Sequence, residues 1–190
     1  MEITEEDITT LGEYALVPIA FEVCRILEVT SQADGLGTFI LSERILGTPY
    51  VKDYDAVERE SPAYWAERFD VSNWGLFAAR VEGERVGGAA VAFDTPELDM
   101  LEGRGDLAVL WDIRVAPEVR GQGVGSALFR AAEVWARTRG CRQLKIETQN
   151  INVLACKFYA RQGCVLGAVN QFAYPEHPQE IQMLWYKNLS

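Results

Sequence analysis

"VRGQGVGSALF", residues 119–129, places glycines at alternate positions, Gly121, Gly123 and Gly125, between an arginine and an apolar run. Removing every second side chain lets the backbone bend sharply and approach a bulky group, so the N–H groups become the contact surface. A helix beginning at Ser126, Ala127, Leu128 and Phe129 would aim its unpaired N–H groups and positive dipole end at the same spot, which suits a phosphate. Arg120 adds a full charge. Two known phosphate loops do not fit. The Walker loop needs Gly, four residues, then Gly-Lys-Ser/Thr; counted from Gly121, Ser126 stands at the second glycine and no lysine follows. The dinucleotide fingerprint needs Gly-x-Gly-x-x-Gly, and here the third glycine comes one residue early. The competing reading is a flexible turn before a helix, so the flanking sequence decides.

"LAVLWDIRV" (107–115) reads as a strand stopped by Pro117, and "GSALFRAAEVWARTRG" (125–140) as a helix with Leu128, Ala131 and Trp135 on one face, closed by Gly140. "LKIET" (144–148) is a second strand, and 152–162 a second helix ending at Gly163. Strand, helix, strand implies a right-handed parallel crossover, with the glycine loop at the carboxyl end of its first strand, where open sheets gather ligands. Upstream, "FEVCRILEV" (21–29) and "TFILSERIL" (38–46) predict a hairpin around "TSQADGLG", and "SPAYWAERF" (61–69) a short helix. "WGLFAARV" (74–81) and "VGGAAVAF" (86–93) predict a second hairpin turning at Gly83, followed by a loop at 94–106. "QMLWYKNL" (182–189) is a last strand. The fold class is therefore α/β with a mixed sheet, antiparallel strands leading into a parallel pair joined by a βαβ crossover.

The 190 residues, 48% hydrophobic and 24% charged, fit one globular domain spanning 1–190. No apolar run approaches the roughly 20 residues needed to cross a bilayer, and the acidic start "MEITEEDITT" is unlike a signal peptide. Cys24, Cys141, Cys156 and Cys164 have no paired spacing, which suits reduced thiols in a cytoplasmic protein. With one histidine and no Cys-x-x-Cys, no metal site is expected. A net charge of −10 argues against nucleic acid and accommodates a cationic partner. The absence of Gly-x-Ser-x-Gly removes a serine-hydrolase reading.

The second helix runs "NVLACKFYARQGC" (152–164). Asn152, Ala155 and Tyr159 fall at i, i+3 and i+7 and share a face, with Phe158 adjacent; an ordinary amphipathic helix with Asn152 as its N-cap is the alternative. Taken with the glycine loop, the pattern resembles the GNAT family of N-acetyltransferases. Arg120-Gly121-Gln122-Gly123-Val124-Gly125 matches that family's R-x-x-G-x-G/A loop, and Asn152-x-x-Ala155-x-x-Phe158-Tyr159-x-x-x-Gly163 its second signature. Cys164 departs from the phenylalanine usual there. Within the family, "FEV", "PYVKDY", "WDIRVAPEVRGQGVGSAL" and "LKIETQNINVLACKFYARQGC" are most similar to the streptothricin acetyltransferases.

The resemblance implies a GNAT fold in which the parallel strands splay, and acetyl-CoA as co-substrate. It implies that backbone groups of Ile113 and Val115 pair with the pantetheine arm, and that N–H groups from Gln122 to Ser126, with Arg120, hold the pyrophosphate. Asn152, Ala155, Phe158 and Tyr159 line the same groove. Tyr159 is the expected donor to the departing thiolate, since a phenol with pKa near about 10 stays protonated at neutral pH. Asp112 and Glu147 are both candidate general bases; many relatives carry a glutamate before the aspartate, where this chain has Trp111. Asp53, Asp55, Glu58, Glu60, Glu176 and Glu180 are candidate acceptor contacts, with a solvated face as the alternative. The acceptor is expected to be a small cationic amine; a peptide acceptor and a non-catalytic acyl-CoA sensor stay open, as do monomer and homodimer.

Overall fold

The computed structural model describes residues 1–35 and 37–190; Leu36, within the "TSQADGLG" connector, lies outside the described residues. In chain order the strands are β1 (Glu2–Glu6), β2 (Phe21–Ser31), β3 (Phe39–Lys52), β4 (Gly75–Val81), β5 (Glu84–Ala92), β6 (Leu107–Val115), β7 (Gln143–Gln149), β8 (Val165–Asn170) and β9 (Gln182–Asn188). The helices are α1 (Leu11–Tyr14), α2 (Trp65–Arg68), α3 (Val124–Thr138) and α4 (Val153–Arg161). The chain divides into two units, one of residues 1–20, 53–146 and 186–190, the other of 21–52 and 147–185.

In the first unit the strand order is β1-β4-β5-β6-β7. β1 to β6 pair antiparallel, and β6 pairs parallel with β7 from Leu107↔Gln143 to Leu110↔Ile146. β4 and β5 join through Glu82 and Gly83, both at positive φ (53° and 90°), the geometry of a two-residue hairpin turn matched to strand twist. Their small residues serve packing: Ala78, Ala79, Ala89 and Ala90 are fully buried. At Gly88 a Cβ would stand 2.4 Å from Cε2 of Tyr14, so only glycine lets that ring lie against β5. α3 packs on β4, β5 and β6. Leu128, Ala132, Trp135 and Ala136 form its buried face; Ala131, expected there, is only half-buried, because the apolar stripe runs through i+4 from Leu128. An aromatic cluster of Trp65, Trp74, Phe69 and Trp111, with ring centroids 5.5 to 6.4 Å apart, packs with Tyr14 and Leu11.

In the second unit β2 and β3 pair from Phe21↔Lys52 to Ser31↔Phe39. β3 runs past the expected end at residue 46 because "GTPYVK" resumes pairing beyond a bulge, with Tyr50 opposite Val23. The end of β7, β9 and β8 follow in that order. Asn150, fully buried, joins these pieces: its Nδ2 donates to Leu27 O (3.0 Å) and its Oδ1 accepts from Ile181 N–H (2.8 Å). α4 starts where the Asn152 side chain accepts the Ala155 N–H (3.1 Å), and it buries Val153, Cys156 and Tyr159.

Candidate active site

β6 is bulged. Asp112 lies opposite Ala90 and Leu110 opposite Val91, so Trp111 is the extra residue that re-aims the strand. The parallel register with β7 stops at Leu110, yet β6 continues for five residues to Val115. Ile113 and Val115, the expected partners of the pantetheine arm, lie on this extension and are half-buried.

The glycine loop follows at once. Ala116 N–H donates to Val86 O (2.8 Å), and Pro117–Val119 make one tight turn. Gly121 and Gly123 then take φ of 80° and 89°, which brings the chain into α3 with Gly123 as N-cap. Gly123 has no side chain, so the N-cap residue makes no side-chain bond to the first turn. A Cβ at Gly121 or Gly123 would meet nothing within 4 Å, and residues 120–123 are exposed while Val124 is buried beneath them. The space in front of the loop is thus kept clear by glycine rather than filled by protein. Two expected donors differ in detail. The Gln122 N–H turns back to Val119 O at 3.4 Å and so closes a turn within the loop. Arg120 Nε donates to Val115 O (2.9 Å) and Nη2 to Ala20 O (3.2 Å) and Pro18 O (3.4 Å), which ties the loop to the end of β6.

Asp112 sits in a network that connects residues far apart in sequence. The Tyr14 hydroxyl donates to its Oδ1; Arg114 Nε reaches the same oxygen at 3.0 Å and Nη2 reaches Oδ2 at 2.7 Å. Arg114 also donates to Asp55 (2.8 Å) and Val17 O (3.1 Å). Its side chain is 1% exposed and that of Asp112 8%. Burial opposes the charge on Arg114, but Asp112 and its hydrogen bond, with Tyr14 and Asp55, outweigh it and raise the guanidinium's pKa above its ordinary value. Burial, then the Asp112 charge, holds the Tyr14 phenol well above the ordinary tyrosine range, so it remains a donor. Asp55, expected to meet an acceptor, is therefore the second counter-ion of Arg114. Glu180 is likewise buried against Lys52 Nζ (2.6 Å), and Glu60 pairs with Arg68 (2.9 Å).

The remaining residues expected to act in catalysis or to hold the coenzyme, Glu147, Asn152, Ala155, Phe158 and Tyr159, belong to the second unit. Glu147 Oε1 accepts from the Tyr174 hydroxyl (2.6 Å) and Oε2 from Gln182 Nε2 (2.8 Å); Tyr174 in turn accepts from Gln149 Nε2 (2.9 Å). Tyr174 and Gln182 carried no motif, and their distance from Glu147 in sequence hid them. On α4, Tyr159 is 6% exposed, with Phe158 edge-on at 5.3 Å and Trp185 at 6.5 Å. Asn152 serves as helix cap and Ala155 is half-buried beside it. Among the described residues no group of His, Cys, Asp or Glu is arranged to hold a metal ion, and no helix is long and apolar enough to cross a membrane.

The profile of the Acetyltransferase (GNAT) family matches residues 43–164, which include the glycine loop and α4. The chain belongs to the GNAT acetyltransferase family. Among GNAT relatives, a streptothricin acetyltransferase of Escherichia coli is 33% identical over 154 residues, covering 78% of this chain and 75% of the relative. Streptothricin acetyltransferase A of Bacillus subtilis (strain 168) is 42% identical over 81 residues, 42% of this chain; that match spans about half the relative, 47% of its length. A crystal structure of a Bacillus anthracis str. Ames protein in complex with acetyl coenzyme A has a TM-score of 0.75 at 23% identity, covering 98% of this chain and 96% of the other, and so shares the fold.

Proposed function

We propose that this chain is an acetyl-CoA-dependent N-acetyltransferase acting on a primary amine of a small cationic acceptor, with streptothricin as the acceptor class. The observation that carries the reading is the uncapped, glycine-cleared start of α3 at the end of a bulged β6. A pyrophosphate needs several N–H donors at close range, and a helix N-terminus behind two left-handed glycines suits that need. The names of the relatives and the acetyl coenzyme A bound to a structural neighbour support the donor and the acceptor class.

Acetyl-CoA, when bound, supplies an acetyl thioester. Amides of Gly121 and of Gly123 to Ser126 hold its phosphates, Arg120 adds charge there, and the backbone of Ile113 and Val115 holds the pantetheine arm beyond the last β6–β7 pair. On α4, Asn152, Ala155 and Phe158 are the further coenzyme contacts of this reading. The acceptor amine must lose a proton and the departing thiolate must gain one. Tyr159 donates to the thiolate sulfur from its hydroxyl. Glu147 takes the acceptor's proton or pairs with its cation: its two hydrogen-bond donors are neutral, so its charge is not cancelled. Asp112 is better placed to hold structure, since accepting a proton would break charge-assisted bonds to Arg114. We assign 1–190 to one acetyltransferase domain that works without metal, nucleic acid or membrane. Its four free cysteines suit the cytoplasm. Monomer and homodimer both satisfy this chemistry.

The test is thiol release from acetyl-CoA with streptothricin, aminoglycosides, polyamines and peptides as separate acceptors. Turnover on streptothricin is expected. Turnover on peptides alone would move the assignment to protein acetylation, and coenzyme binding without turnover on any amine would make the chain a sensor.

A further inference from the structure

The segment 171–181, between β8 and β9, reaches back to β7 through the Tyr174 side chain. Tyr174 stands in a directed chain in which Gln149 Nε2 donates to its hydroxyl and the hydroxyl donates to Glu147 Oε1. The other carboxylate oxygen accepts from Gln182 Nε2 at the start of β9. The far end of the segment is fixed independently, by the buried Glu180–Lys52 pair and by Ile181 N–H on Asn150 Oδ1. A loop needs no tyrosine at 174 to stay anchored at that end. What the hydroxyl adds is a second fixed point on Glu147, so each carboxylate oxygen has one neutral donor and the group is held in one orientation with its charge intact.

We propose that Tyr174 is a positioning residue: with Gln149 behind it and Gln182 opposite, it fixes the Glu147 carboxylate for the acceptor's cationic amine, which makes the 171–181 segment a determinant of acceptor recognition. The inference rests on the reading that Glu147 serves the acceptor. A carboxylate free to rotate would divide its time among orientations, and the loss would fall on acceptor turnover rather than on coenzyme binding.

The experiment uses the full chain with streptothricin as acceptor. Tyr174→Phe removes one oxygen and should lower kcat/KM for streptothricin by ~10-fold or more, the size of one hydrogen bond to a charged group, while KM for acetyl-CoA and Tm stay near parental values. Gln182→Met, acting on the other oxygen, should lower the same parameter and serves if Tyr174→Phe does not fold. On a Glu147→Gln background Tyr174→Phe should change kcat/KM by no more than about twofold, because both act through one group. An undiminished Tyr174→Phe loss on that background overturns the proposal, as does a Tyr174→Phe enzyme with parental acceptor kinetics beside an impaired Glu147→Gln. A Glu147→Gln enzyme at parental rate instead removes the role given to Glu147 itself.

Discussion

Gly123→Ala and Gly140→Ala form a matched pair at opposite ends of α3. Both glycines lie in the left-handed region, at φ of 89° and 79°, and at both a Cβ would meet nothing within 4 Å. Neither substitution creates a clash within the protein, so its cost to folding reduces to the backbone term, about 1–2 kcal/mol for an L-residue held left-handed. For a chain of this size that predicts a fall in Tm of ~2–8 °C, similar in the two variants. Ligand binding should separate them. At Gly123 the methyl enters the clear space before the helix amides, and losing one or two charge-assisted hydrogen bonds to phosphate should weaken acetyl-CoA binding ~10- to 100-fold. At Gly140, past the carboxyl end of the helix, the Kd should not change. Calorimetric titration with acetyl-CoA beside thermal melts reads both quantities. Equal Kd values for the two variants, with equal losses of Tm, would refute the assignment of the loop.

Other consequences follow from the same contacts. Gly88→Ala should destabilise by about 1–3 kcal/mol, because its Cβ would displace the fully buried Tyr14 ring and with it the bond to Asp112; a parental melting curve would contradict that packing. Asp112→Asn leaves buried Arg114 with Asp55 as its one full counter-ion and should lower Tm more than Glu147→Gln does, since Glu147 meets only neutral donors; the reverse order in thermal melts would contradict the division of roles. Burial pushes the Cys156 thiol up to about 12, so iodoacetamide at pH 8 should modify half-buried Cys24 well before Cys156 by peptide mass mapping. The unfolded chain releases that thiol's proton near pH 9 while the folded chain keeps it, so Cys156 lowers stability as pH rises from about 9 towards 12; denaturant midpoints that hold steady there in the parent and fall in Cys156→Ala would contradict this.

The segments that sequence located best are those whose signals are local. β6 was read at its full bounds, and α3 and α4 within one residue of their starts, because apolar period, the stop at Pro117 and the closing glycines all act within a turn or two. β1 carries little strand signal of its own, because "EITEE" is mostly acidic; its partner β4 and the Glu6–Arg80 pair make it a strand. β8, "VLGAVN", is short and mostly exposed, so it offered no alternation to read. The site divided likewise. The loop and α4 carry motifs, whereas Tyr14 and Asp55 lie 98 and 59 residues from the groups they bind, and no spacing rule brings them to Asp112 and Arg114. Arg120 shows a subtler gap: its charge was legible, but its use of backbone carbonyls to hold the loop was not.

The most direct measurement of acetyl transfer is steady-state thiol release from acetyl-CoA with streptothricin, for the parent and for Tyr159→Phe. The parent should release coenzyme A only when the acceptor is present and yield the acetylated amine. The Tyr159→Phe enzyme should bind acetyl-CoA with nearly parental Kd and lose at least ~100-fold in kcat, the usual weight of a general acid. A Tyr159→Phe enzyme with parental kcat, or a parent that binds acetyl-CoA and acetylates no amine, would contradict the account.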